Sequence, residues 1–167
     1  MRTSNPTEDG IGEIDTDMLA WYTSVTVATL TNEHNGGRSG GYFNLRSPTG
    51  TVLFESRFGK PPPHKAEKYE RLAAEKTERL AIHLEHVLSW ESKNEELEHF
   101  QGAARAPNGL LGGFSGFLAE EDETLVLWVF MKMGWIDGKD AYAASLISAN
   151  SRYGTLVQKF NQALKNH

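Results

Sequence analysis

The 167-residue chain has no cysteine, which removes disulfide frameworks, thiolate metal sites and cysteine nucleophiles together. Any chemistry must come from other side chains. It also lacks a run approaching the ~20 apolar residues that cross a bilayer, and the N-terminal MRTSNPTEDG has no hydrophobic signal core. These absences lead to the expectation of a soluble, cytoplasmic protein without membrane contact. Positive charge is short as well: 17 Lys and Arg face 22 Asp and Glu, a net charge of −5. That balance opposes the basic face nucleic acid demands, so nucleic acid is not an expected partner. Proline is scarce, and three of the six stand together at 61–63.

What is present is enough for one core, since domains typically run ~100–150 residues. The negative charge is unevenly spread. Residues 1–17 carry Glu8, Asp9, Glu13, Asp15 and Asp17 against Arg2, leaving a net charge of only −1 on residues 18–167. With Pro6, Gly10 and Gly12 interrupting it, the segment 1–17 reads as a disordered acidic tail, and 18–167 as a single α+β domain with a C-terminal helical extension. A body so close to neutral offers little repulsion against self-association.

Trp21–Thr31, WYTSVTVATLT, is rich in aromatic and β-branched residues and predicts a first strand. A glycine-rich loop follows. Phe43 and Leu45, then Val52, Phe54, Ser56 and Phe58, alternate on either side of Ser-Pro-Thr-Gly and predict an antiparallel hairpin. The triple proline ends it. Tyr69, Leu72, Ala73, Lys76, Leu80, His83, Leu84, Val87 and Leu88 then recur at helical spacing, predicting an amphipathic helix over the sheet. GAARAPNG reads as a loop and GLLGGFSGFL as a strand whose glycines admit close approach. AEEDETLVLWVFMKMG predicts a buried helix stopped at Gly134, with one or two closing helices after it. An antiparallel β-sheet flanked by helices is the natural packing of this order, so the fold class is α+β.

Two stretches carry a resemblance. TGTVLFESRFGKPPPHKAEKY and GGFSGFLAEEDETLVL resemble the hairpin-to-helix segment and the closing Ser-Gly motif of the GlcG/HbpS-like family (heme-binding-protein-like, PduO C-terminal-like). The resemblance implies a profilin- or PAS-like single domain, commonly a homo-oligomer, with heme or a related tetrapyrrole bound by some members. It also implies that the Pro61–Pro63 loop borders a pocket, which makes His64 a ligand-binding candidate. The family opens on a long helix, where this chain reads as strand, and it ends near the helix after Ser-Gly, whereas this chain continues past Gly134 to His167.

The residues themselves point to a ligand edge. Gly112, Gly113 and Gly116 would let a ligand or subunit approach the backbone, with Ser115 as a hydroxyl partner. The same glycines would equally permit close packing of sheet on helix. Ser115 is no nucleophile elbow, because G-x-S-x-G would need glycine at 117 and the chain has Phe117. Glu120, Glu121, Asp122 and Glu123 oppose an anion at this edge and favour a polar or cationic group. Arg57, at the end of the hairpin, and Lys65, Lys68 and Lys76 are candidates for a carboxylate or propionate. His83, His86 and His99 have spacings a metal could use, although the pattern predicts a core or interface histidine and a solvated one. The expectation is therefore a non-catalytic small-ligand-binding or sensing domain. The alternative is a structural or regulatory protein-interaction module without a small ligand.

Overall fold

A computed structural model describes residues 4–6 as backbone and residues 12–167 in full. The elements run β1 (Ser4–Pro6), β2 (Glu13–Asp15), α1 (Thr16–Glu33), β3 (Gly40–Arg46), β4 (Val52–Gly59), α2 (Pro63–Ile82), β5 (Ala103–Arg105), β6 (Leu111–Ser115), α3 (Ala119–Lys132), α4 (Gly138–Ile147) and α5 (Tyr153–Lys165), with two 3-10 turns between α2 and β5. The α+β class follows directly. The main sheet is antiparallel throughout, in the order β4-β3-β6-β5.

The expected hairpin is β3–β4, turned at Ser47–Gly50 by the Gly50 N–H donating to Ser47 O at 2.9 Å. Pairing of Tyr42 with Ser115 and of Asn44 with Gly113 fixes β3 against β6. Because side chains alternate along a strand, this register places Tyr42, Asn44, Arg46, Gly113 and Ser115 on one face and Phe43, Leu45 and Phe114 on the other. Helix α2 covers the first face, where Thr77 Oγ1 donates to Asn44 Oδ1 at 2.6 Å and Arg46 Nε donates to Thr77 Oγ1 at 3.1 Å. Helices α1, α3 and α5 pack together on the second, around fully buried Phe43, Phe114, Trp128 and Phe160.

Trp21–Thr31 is not a strand; it lies inside α1. Its β-branched content favoured a strand, but Thr16, Leu19, Thr23, Thr26 and Leu30 are all buried at alternating spacings of three and four, a helical stripe that counts threonine with the apolar residues. The hydroxyls are satisfied within the helix: Thr23 Oγ1 donates to Leu19 O at 2.8 Å and Thr31 Oγ1 to Val27 O at 2.7 Å. Asp15 caps the start, accepting from the Met18 N–H at 3.1 Å.

The acidic segment also differs from the expected tail where it is described. Glu13–Asp15 pairs with Ser4–Pro6, and Ile14 is buried against the core. Residues 1–3 and 7–11 lie outside the described residues.

Helix α2 stops at Ile82, before the expected end at Leu88. Its final carbonyls need partners, and Arg105 supplies them: Nη2 donates to Leu80 O at 2.6 Å and His83 O at 3.1 Å, and Nε to His86 O at 3.0 Å. The same contacts draw Ala103–Arg105 out of the expected loop and onto the sheet edge, where the Arg105 N–H donates to Val87 O at 2.7 Å. Among the described residues, no helix is long and apolar enough to cross a membrane.

Candidate ligand-binding site

Where the N-terminal half of α2 passes the end of β6, a cleft of about 280 Å3 opens between Tyr69, Leu72 and Lys76 of α2, Ser115–Phe117, and Ala119 and Asp122 of α3. Arg38, Lys65 and Lys68 bring positive charge to it, and Phe100 and Gln101 complete the lining. Tyr69, Phe100, Phe117 and Leu72 make apolar walls, so the cleft joins a flat hydrophobic space to a set of cationic groups.

Its inner wall is a buried ion pair. Lys76 occupies a position in the apolar stripe of α2 and is 2 % exposed. Its Nζ donates to Phe114 O at 2.7 Å and lies 3.4 Å from Asp122 Oδ2, while Asp122 Oδ1 accepts from the Phe117 N–H at 2.9 Å. Burial lowers the Lys76 pKa, with Asp122 opposing that change. Burial pushes the Asp122 carboxyl up to about 7, against the pull of Lys76 and the Phe117 N–H. Gly102 makes room for the ammonium, since a Cβ there would sit 2.6 Å from Lys76 Nζ.

The other acids at the start of α3 face other partners. Glu120 accepts from Ser151 Oγ at 3.1 Å, and Glu121 meets His34 Nε2 at 2.6 Å and Arg152 Nη1 at 3.1 Å. Glu123 accepts from Ser148 Oγ at 2.6 Å and Asn150 Nδ2 at 2.8 Å. Burial raises the Glu123 pKa, against the hydrogen bonds of Ser148 and Asn150, and neither Gln101 Nε2 nor Glu123 Oε1 makes a well-formed hydrogen bond. The acidic run therefore does not line the cleft as a block. Of the four acids Asp122 alone does, beside Arg38, Lys65, Lys68 and Lys76, so the charge lining the cleft is mostly positive.

The sequence candidates divide. Ser115 and Gly116 line the cleft, and strand alternation turns the Ser115 side chain to the α2 face. Gly112 and Gly113 do not line it. A Cβ on Gly112 would lie 2.7 Å from the Phe130 ring, and one on Gly113 would lie 3.0 Å from Thr77 Cγ2, so these two glycines let helices pack closely on both sheet faces. Arg57 is exposed on edge strand β4, His64 is exposed in the first turn of α2, and neither lines the cleft. Of the histidines, His83 and His86 stack with ring centroids 4.7 Å apart, whereas His99 approaches Glu75 instead, at 3.9 Å.

Arg38 and Gln101 carry no signal in the spacing, because each reaches the cleft from a different segment, whereas Asp122 belongs to the acidic run already placed at this edge. Lys76 had a signal: a lysine written into an apolar stripe.

The cleft volume lies at the lower edge of the ~300–1,000 Å3 that houses drug-sized ligands, and among the usual axial ligands His, Cys, Met and Tyr only Tyr69 lines it. No protein-family model, curated protein or solved structure matches the chain.

Proposed function

We propose that the protein is a non-catalytic small-ligand-binding or sensing domain whose ligand is a small carboxylate with a flat apolar body. The observation that carries this reading is the meeting of Arg38, Lys65 and Lys68 with the walls Tyr69, Phe100 and Phe117 around one cleft. An anionic head would meet the cations and the Ser115 hydroxyl, while a ring would lie between the aromatic walls. The GlcG/HbpS-like resemblance supports the ligand-binding class, since α1 stands ahead of the main sheet, where that family has its long helix. It also motivates self-association. The heme version of the resemblance is not carried into the cleft.

Amide NMR of the full chain titrated with benzoate, phenylacetate and acetate tests this reading. Benzoate or phenylacetate should shift the Ser115, Gly116 and Phe117 amides more strongly than acetate. Arg38→Ala and the pair Lys65→Ala/Lys68→Ala should weaken binding by about tenfold, a typical magnitude for loss of a charge-assisted contact. Arg57→Ala should leave it unchanged. Absence of shifts at these amides with all three acids would overturn the proposal.

A further inference from the structure

About two turns beyond Lys76, α2 ends in Ile82-His83-Leu84-Glu85-His86, and the chain turns toward the 3-10 segment Ser89–Ser92. The backbone of this turn is held from both sides. Arg105 donates to the carbonyls of Leu80, His83 and His86, and Glu91 Oε2 accepts from the Val87 and Leu88 N–H groups at 2.7 and 3.0 Å. A turn fixed in this way presents its side chains in a defined arrangement rather than sampling many.

His83, Glu85 and His86 each offer one donor atom, and the three atoms lie within 4.8 Å of one another. The two imidazoles are stacked with only 11° between their planes. His86 Nε2 stands 3.5 Å from Glu85 Oε1, and His86 Nδ1 is buried with no hydrogen-bond partner. The fold brings a second imidazole to the face of the His86 ring and a carboxylate to its Nε2. Both rings are partly exposed and Glu85 is exposed, so the group is open to solvent.

We propose that His83, Glu85 and His86 bind a divalent transition-metal ion of zinc-like character. Zinc bonds of ~2.0–2.1 Å in a tetrahedron place neighbouring donor atoms roughly 3.4 Å apart. Glu85 Oε1 and His86 Nε2 already stand at nearly that separation, and rotation of His83 out of the stack brings its donor into line, since an imidazole binds a metal in its ring plane. Two imidazoles with one carboxylate suit zinc, cobalt, nickel or copper, whereas calcium and magnesium require oxygen donors. Three protein donors leave a fourth position for water or another ligand. The Arg105 guanidinium faces the backbone carbonyls of the turn, and the Glu85 carboxylate offsets its charge and that of the ion. The consequence of binding is a clamp on the turn that connects α2 to the β5 edge, so the ion stabilises the folded chain by mass action.

Calorimetric titration of the full chain with Zn2+, and with Co2+ followed by visible absorption, tests the site. Wild type should take up one ion with the absorption of four-coordinate cobalt and an increase in melting temperature. His83→Ala and His86→Ala should each weaken uptake by at least about tenfold, and the double variant should abolish both the cobalt band and the thermal shift. His99→Ala should leave all three readouts unchanged. Metal-free melting of each variant identifies misfolding, and His83→Asn with His86→Gln provides a milder pair. Failure of wild type to bind one equivalent, or undiminished binding in folded double variants, overturns the proposal.

Discussion

The two faces of the main sheet are built from opposite materials. Against α1, α3 and α5 lie Phe43, Leu45 and Phe114, in a cluster with Trp128 and Phe160 from which water is excluded. Between the sheet and α2, Asn44, Arg46 and Ser115 of the strands meet Lys76 and Thr77 of the helix, most of them buried and held by directional contacts, beside a small apolar cluster of Leu80, Ala103 and Leu111. The first face follows the ordinary economy of apolar burial. The second takes a lysine and a carboxylate out of water, an arrangement that well-packed apolar residues of similar volume often equal or exceed in stability. The cleft opens on the second face, next to that ion pair. The contrast teaches that the α1/α3/α5 side holds the fold together, while the α2 side maintains a charged site at some cost to stability.

The largest effect should come from truncation on the apolar side. Trp128 is fully buried, packs on Tyr22 and Phe160, and donates from Nε1 to Asn161 Oδ1 at 2.9 Å. Trp128→Ala should cost about 3–5 kcal/mol, read from the midpoint of urea unfolding. A loss below about 1 kcal/mol would mean that this face is not the principal source of stability.

A smaller effect, confined to the α2 side, should appear with pH. The folded chain holds the Asp122 proton more tightly than the unfolded chain, since burial raises the pKa from 3.8 to about 7. Its contribution to stability is therefore full below the ordinary carboxylate range and is lost as pH rises toward 7. Unfolding free energies of wild type and Asp122→Asn, measured at about pH 5 and about pH 7.5, should show wild type losing stability relative to the variant as pH increases. Burial lowers the Lys76 pKa, so its own contribution has the opposite sign and rises as pH passes its lowered folded value. Parallel behaviour of the two proteins would place the ion pair in water.

Much of the apolar side was legible in the sequence. The alternation through Phe43–Phe58 specified the hairpin, and the acids-then-apolar pattern of Ala119–Lys132 specified α3. α1 is hidden because its inward stripe is made of threonine as much as leucine, and its β-branched residues carry a strand preference that masks the helical period. β5 was hidden because Ala103 and Ala104 have little strand preference, and Arg105 secures their pairing from a distance. The cleft was legible only in part. Ser115 and Gly116 stood out beside their glycines, and Lys76 stood in the wrong stripe. Asp122 follows them in the acidic run, while Arg38 and Gln101 join them only when the loop after α1 and the segment before β5 meet at the end of β6, a convergence no local spacing encodes.

The most direct test is a double-mutant cycle on the buried pair, Lys76→Met, Asp122→Leu and both together, measured for stability by urea unfolding and for benzoate binding by amide NMR. Each single variant should lose about 3–5 kcal/mol by leaving a buried charge unpaired, and the double variant should recover wild-type stability or exceed it. Binding at Ser115, Gly116 and Phe117 should nevertheless be weakened in the double variant, whose changes alter the inner wall of the cleft. A double variant as unstable as the singles, or one that still binds benzoate as wild type does, would contradict the division of labour between the two faces.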